Sequence, residues 1–133
     1  MNEEWESLSP EDWQWLLKRA KREVDATLKA LPAALKERAQ SAAITYDSLP
    51  DDAMVEDGIE PDTLGLFVGD AWPDENLAGQ PLPPQIILFL ENLWDQAEGD
   101  EALYAEEIRR TLLHELGHYL GLDELDLEGR GLE

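Results

Sequence analysis

Both histidines of this 133-residue chain lie in one five-residue stretch, His114-Glu115-Leu116-Gly117-His118. That placement constrains the fold more than any other feature. On an α-helix, residues four apart project within about 40° of each other, one turn apart. His114 and His118 then share a face and can hold one ligand from a single rigid element. The surrounding pattern agrees with a helix. Ile108, Leu112, Leu116 and Leu120 recur at i+4 spacing and form a face to be buried, roughly opposite the histidines. Asp100 is a cap, and Glu101, Glu106 and Glu107 sit near the positive end of the helix dipole. The helix is expected to run from there to about Leu120 and to stop at Gly121, which can take the left-handed conformation that ends a helix.

Two imidazoles so placed suit a metal ion. Zinc accepts neutral histidine nitrogens at about 2.0–2.1 Å and keeps room for a carboxylate and a water. Glu115 lies around the helix from the two histidines, beside the expected water. It can take the water's proton and later hand it to a leaving amine. The plainer alternative is a pair of surface histidines on an amphipathic helix. Against it stands the fact that the chain's two histidines both fall at this spacing with a glutamate between them.

Composition removes other chemistries. With no cysteine there are no disulfides, thiolate metal sites or cysteine nucleophiles. Lys and Arg number 10 against 31 Asp and Glu, a formal charge of -21, which repels a phosphate backbone and disfavours nucleic acid. The same charge favours solubility, or attraction to basic partners. A hydrophobic fraction of 43% with five tryptophans argues against disorder. The N-terminus Met-Asn-Glu-Glu-Trp-Glu has no basic region leading into an apolar one, so no secretory signal is expected. The longest apolar run, Ile86 to Leu90, is too short to span a bilayer. A cytoplasmic protein with no membrane partner is the expectation.

The rest of the chain reads as helices, then strands, then the motif helix. Ser9-Pro10-Glu11-Asp12 starts a helix, with Ser9 as cap and Asp12 at the reciprocal capping-box position. Trp13, Leu16, Leu17, Ala20, Val24, Leu28 and Leu31 follow at helical spacing, and Lys18, Arg19, Lys21 and Arg22 cluster on the same helix. Leu31-Pro32 breaks it, and residues 33–40 form a second short helix. Residues 42–46 have strand character. Residues 47–62, rich in Asp, Glu and Pro, read as a long loop. Residues 64–69 form a second strand whose glycines allow a bulge or a close backbone approach. Residues 70–84 are a loop. Ile86 to Leu90 is a short apolar strand, with a helix over 91–96 competing for part of it. Trp5, Trp13, Trp15, Trp72 and Trp94 are read as packing residues. Tyr119 falls toward the buried face and is read as core, and Arg109 as snorkelling or paired with an acid.

His118-Tyr119-Leu120-Gly121-Leu122-Asp123-Glu124 extends the motif. It resembles the extended zincin pattern HExxHxxGxxH/D. From the Leu31-Pro32 break to Glu124, the chain resembles the small bacterial minimal zincin-like metallopeptidases. The quoted matches are Tyr46-Asp47-Ser48-Leu49-Pro50, Leu64-Gly65-Leu66-Phe67, Leu82-Pro83-Pro84-Gln85-Ile86 and Thr111 through His118. The resemblance implies an α+β fold with N-terminal helices, a short mixed sheet and a C-terminal helix carrying HExxH, as one domain over residues 1–133. It implies one zinc and peptidase activity. It also implies a third zinc ligand three residues after Gly121, which here is Glu124 rather than His or Asp. Asp123 and Asp126 are the alternatives. In zincins an edge strand above the site binds extended peptide by β-addition, and residues 64–69 or 86–90 are the candidates. One feature departs from the larger metzincins. The only methionines are Met1 and Met54, so no methionine turn is expected, and with the sequence ending at Glu133 no C-terminal subdomain forming the lower lip of the cleft is expected either. That departure favours a second reading, a zinc-bearing adaptor with little turnover, whereas the intact Glu115 favours the peptidase; a metal-dependent hydrolase of non-peptide substrates is a third. The expected substrate is a peptide or unfolded protein, basic in character.

Overall fold

Ser9 begins the first helix by accepting a hydrogen bond from the Asp12 backbone N–H at 3.0 Å. The computed structural model describes residues 9–69 and 84–120. Helix α1 runs Pro10–Lys29, with Pro10 in the first turn and Glu11 and Asp12 at its positive end. Its buried face is Leu16, Ala20, Val24 and Thr27, which follows the helical period. Leu31-Pro32 breaks the chain, as expected, and α2 follows at Ala33–Ala39.

Strand β1 is Ala43–Asp47, β2 is Gly65–Val68 and β3 is Gln85–Phe89. Between β1 and β2 the sequence reading expected only loop. The structure instead places one helical turn there, α3 at Asp52–Glu56, capped by Asp51, whose Oδ1 accepts from the Met54 N–H at 2.8 Å. None of its residues is buried, so the hydrophobic pattern carried no sign of it. Helix α4, Leu90–Gln96, follows β3 with no loop between them, so strand and helix are consecutive rather than competing. Glu98 and Gly99 both have positive φ and reverse the chain. Asp100 then caps α5, Glu101–Leu120, accepting from the Leu103 N–H at 3.0 Å. Trp5, Trp72, the 70–83 part of the expected loop and the expected stop at Gly121 lie outside the described residues.

The sheet order is β1-β3-β2, with β1 parallel and β2 antiparallel to β3. This is the short mixed sheet of an α+β fold. Ile44, Tyr46, Ile86, Leu88 and Phe67 alternate onto the face that meets the helices. Against them pack Leu16, Ala20 and Val24 of α1, Leu90 and Leu93 of α4, and Tyr104, Ile108, Leu112 and Leu116 of α5. Tyr104 is central. It is fully buried, its hydroxyl donates to the Leu16 carbonyl at 2.9 Å, and its ring meets Trp15 and Trp94. A smaller cluster of Leu35, Tyr119 and Leu120, joined by Phe67, anchors the other end of α5. No helix among the described residues is long and apolar enough to cross a membrane.

The β3–α4 junction buries two polar side chains. Asn92 Nδ2 donates to the carbonyls of Pro61 at 2.8 Å and Thr63 at 2.9 Å, fastening the segment that leads into β2. Glu91 is buried beside Ser48. Burial pushes its carboxyl above the usual range; a side-chain hydrogen bond with Ser48 pulls partly back, and the nearby Asp95 charge adds to the rise. The folded chain therefore holds this proton more tightly than the unfolded chain. Below the ordinary glutamate value, about pH 4.3, both states are protonated and the stabilisation linked to this proton is fully present. It is lost as pH rises through the raised value in the fold. Glu91→Gln removes the ionisation. Relative to the parent it should raise the melting temperature near neutral pH, with the gain shrinking toward zero at about pH 4. Paired thermal melts across that range check this, and a pH-independent difference would contradict it.

Candidate metal centre

Rotation of α5 is set by its apolar face, and the site follows from that rotation. Ile108, Leu112 and Leu116 are buried in the core, so His114 and His118 emerge on the solvent side. The sequence reading expected this opposition. The two rings lie with centroids 4.6 Å apart and planes inclined at 55°. A metal–nitrogen bond of about 2.0–2.1 Å puts a bound ion roughly 3 Å from each ring centre, so two rings about 5 Å apart can share one ion. The imidazole pair fits zinc in both spacing and donor chemistry.

Glu115, beside them, is sheltered rather than exposed. It is only 8% exposed, tucked where α5 meets the sheet. Its Oε1 stands 3.8 Å from His118 Nδ1, beyond hydrogen-bond length, so the carboxylate adjoins the imidazole without being tied to it. The start of β2 lies over its stem. A Cβ on Gly65 would fall 3.4 Å from Glu115 Cγ and 2.6 Å from Thr111 Cγ2. The close backbone approach expected of a glycine in this strand is thus found at Gly65, directed at α5.

The structure brings together His114, Glu115 and His118. Glu124, and the alternatives Asp123 and Asp126, lie outside the described residues. Among the described residues no group of three or more His, Asp or Glu side chains could hold a metal ion. Tyr119 is fully buried with its ring 5.7 Å from that of Phe67, in the core as expected. Arg109 is half-buried and lines a cleft of about 260 Å³ between α1 and α5 with Glu23, Thr27 and Leu113.

Of the two strands considered for peptide binding, only β2 has a free edge among the described residues. β3 is central, paired on both sides, which removes residues 86–90 from consideration. The Phe89 N–H donates to the Leu64 carbonyl at 3.0 Å. In the antiparallel register Leu64 lies opposite Phe89, one step before the Gly65 and Leu88 pair. The alternation of such pairs turns the backbone groups of Leu66 and Val68 toward β3 and those of Gly65 and Phe67 toward the open edge. Sequence reasoning missed Thr111 and Asn92. Their one visible sign was a small or polar side chain within an apolar stretch, Thr111 before Leu112-Leu113 and Asn92 between Leu90 and Leu93.

A comparison with curated proteins yields no match. Residues 39–132 match the family model described as zincin-like metallopeptidase. That span holds all three strands, the motif helix and the residues after it. The imidazole pair, the adjacent carboxylate and the antiparallel strand β2 all fall inside it. The chain belongs to the zincin-like metallopeptidase family.

Proposed function

We propose that the chain is a zinc-dependent peptidase. His114 and His118 hold the ion, Glu124 completes its protein ligands, and Glu115 is the general base. The observation that carries this reading is the pair of imidazoles 4.6 Å apart with a sheltered glutamate beside them. When bound, zinc supplies a Lewis acid for the scissile carbonyl and an acidified water. The chain's own residues do the rest. An extended peptide adds to the β2 edge through the outward N–H and C=O groups of Gly65 and Phe67. Glu115 accepts the proton from the attacking water on a carboxylate oxygen and delivers it to the leaving amine nitrogen, so that the C–N bond breaks to a free amine. Its side chain is mostly buried, and its Oε1 lies 3.8 Å from His118 Nδ1. The favoured substrate is a peptide or unfolded segment with basic character, drawn by the charge of -21.

Metal content and hydrolysis should separate. The parent and Glu115→Gln should each bind one zinc per chain, and His114→Ala/His118→Ala should bind none. Glu115→Gln should lose hydrolysis by roughly 10²–10⁴-fold. Elemental analysis and turnover of a fluorogenic peptide panel, with and without chelator, check both. Retained zinc in the double variant would remove the histidines as ligands. A zinc-loaded parent that cleaves nothing would favour an adaptor.

Glu124→Ala should weaken zinc by at least the roughly 10–100-fold typical of lost supporting groups, whereas Asp123→Ala should have little effect. Competition titration against a chelator ranks them, and the reverse order would move the third ligand to Asp123.

Capture of a lysine-rich peptide should slow as salt rises, because exposed charges are screened over about 10 Å at 0.1 M. Stopped-flow association that is flat across ionic strength would assign the acidity to solubility alone.

A further inference from the structure

We infer that Gly65 and Thr111 act together as a spacer that sets the height of β2 above Glu115. They thereby position a peptide paired to that strand for attack. The inference rests on the peptidase reading above. Gly65 touches no reacting atom, so it is a positioning residue.

Backbone conformation does not demand a glycine at this position, since the positive-φ glycines among the described residues are Gly58, Gly69 and Gly99. Space does demand it. A Cβ at residue 65 would meet Thr111 Cγ2 at 2.6 Å, far inside contact distance, with Glu115 Cγ and the Ile87 carbonyl oxygen next at 3.4 Å. Neither side can yield easily. Thr111 is buried on α5, and a β-branched side chain has few rotamers on a helix. The segment leading into β2 is itself tied down. Leu64 accepts from the Phe89 N–H, and Asn92 grips the Pro61 and Thr63 carbonyls. Thr111 stands one turn before Glu115 on the same face of α5, so what presses on Gly65 also fixes the strand relative to the base.

A side chain at residue 65 should therefore lift β2 from α5. A peptide paired to Gly65 and Phe67 would ride with the strand. Its binding would persist while its scissile bond moved away from Glu115. The expected signature is a fall in kcat with KM held, since a misplacement of about 1 Å can cost about 100-fold in rate.

The test uses a fluorogenic lysine-rich peptide and the zinc-loaded full chain. Gly65→Ala should lower kcat by about 10- to 100-fold, with KM within about twofold. Zinc affinity, titrated separately, should stay at the parental value. Adding Thr111→Ser, which keeps the hydroxyl and removes the clashing methyl, should return kcat to within about threefold of the parent. A rise in KM instead of a fall in kcat, an unchanged kcat, or no rescue by Thr111→Ser would overturn the proposal. A parent that cleaves no peptide would overturn the peptidase reading instead. The spacer is then judged on the metal-free chain by NMR. Amide shifts of Phe67, Val68 and Glu115 should move together in Gly65→Ala and return toward the parent in the double variant, and failure to return would overturn it.

Discussion

The burial of one face of α5 is the constraint on which the rest of the structure depends. Ile108, Leu112 and Leu116 enter the common core with α1, α4 and the sheet. Fully burying each such side chain is worth about 1.5–3 kcal/mol. Turning the helix by one residue, about 100°, would forfeit several of those burials and carry charged side chains inward. The helix therefore has one rotational setting. In that setting the histidines face solvent and Glu115 faces the sheet. Core packing and site geometry are two consequences of one amphipathic pattern.

Ion pairs contribute little to that setting. Lys29 with Asp25 and Arg110 with Glu106 are exposed pairs one turn apart, each worth a fraction of a kcal/mol. Arg19 differs because it bridges two elements. It reaches Glu23 on its own helix and Glu101 at the start of α5, and its side chain is mostly sheltered. A net charge of -21 makes scattered acids repel one another, so apolar burial must outweigh a standing electrostatic cost. The aromatic cluster of Trp15, Trp94 and Tyr104 is placed where α1, α4 and α5 meet. Two of the five tryptophans are thus committed to locking the helices together.

What could be read from the sequence was local. The caps at Ser9 and Asp100, the break at Leu31-Pro32 and the i+4 apolar face of α5 each arise from residues within a turn or two of one another. Their partners in the fold are the ones their chemistry names. The sheet was legible only as segments, because strand order depends on pairings across forty residues. Nothing in Ile86 to Phe89 distinguishes a central strand from an edge except its being apolar on both faces. The α3 turn escaped notice because an exposed turn needs no hydrophobic pattern, only the Asp51 cap. The glycine at 65 was recognisable as a close approach, but its target, Thr111, was not. The contact joins residues with no local relation in the chain. Glu124 was read from its place after Gly121, and it falls outside the described residues.

The contrast between exposed histidines and a sheltered glutamate has a physical logic of its own. The His118 side chain is 55% exposed and that of Glu115 is 11%. An ion must shed water and arrive from solvent, so its ligands gain from being accessible. A base gains from the opposite. A carboxylate free to sample many rotamers spends most of its time away from the water it must deprotonate, whereas one confined by packing keeps its orientation without an added entropic cost at the moment of reaction. β2 also packs against the stem of Glu115, so the proposed base sits close to the strand to which the proposed peptide would pair. The same strand that limits the motion of Glu115 thus fixes its distance to anything that pairs with that strand. Under the proposed function, having one strand do both tasks reduces the number of independent parts that must be held in register.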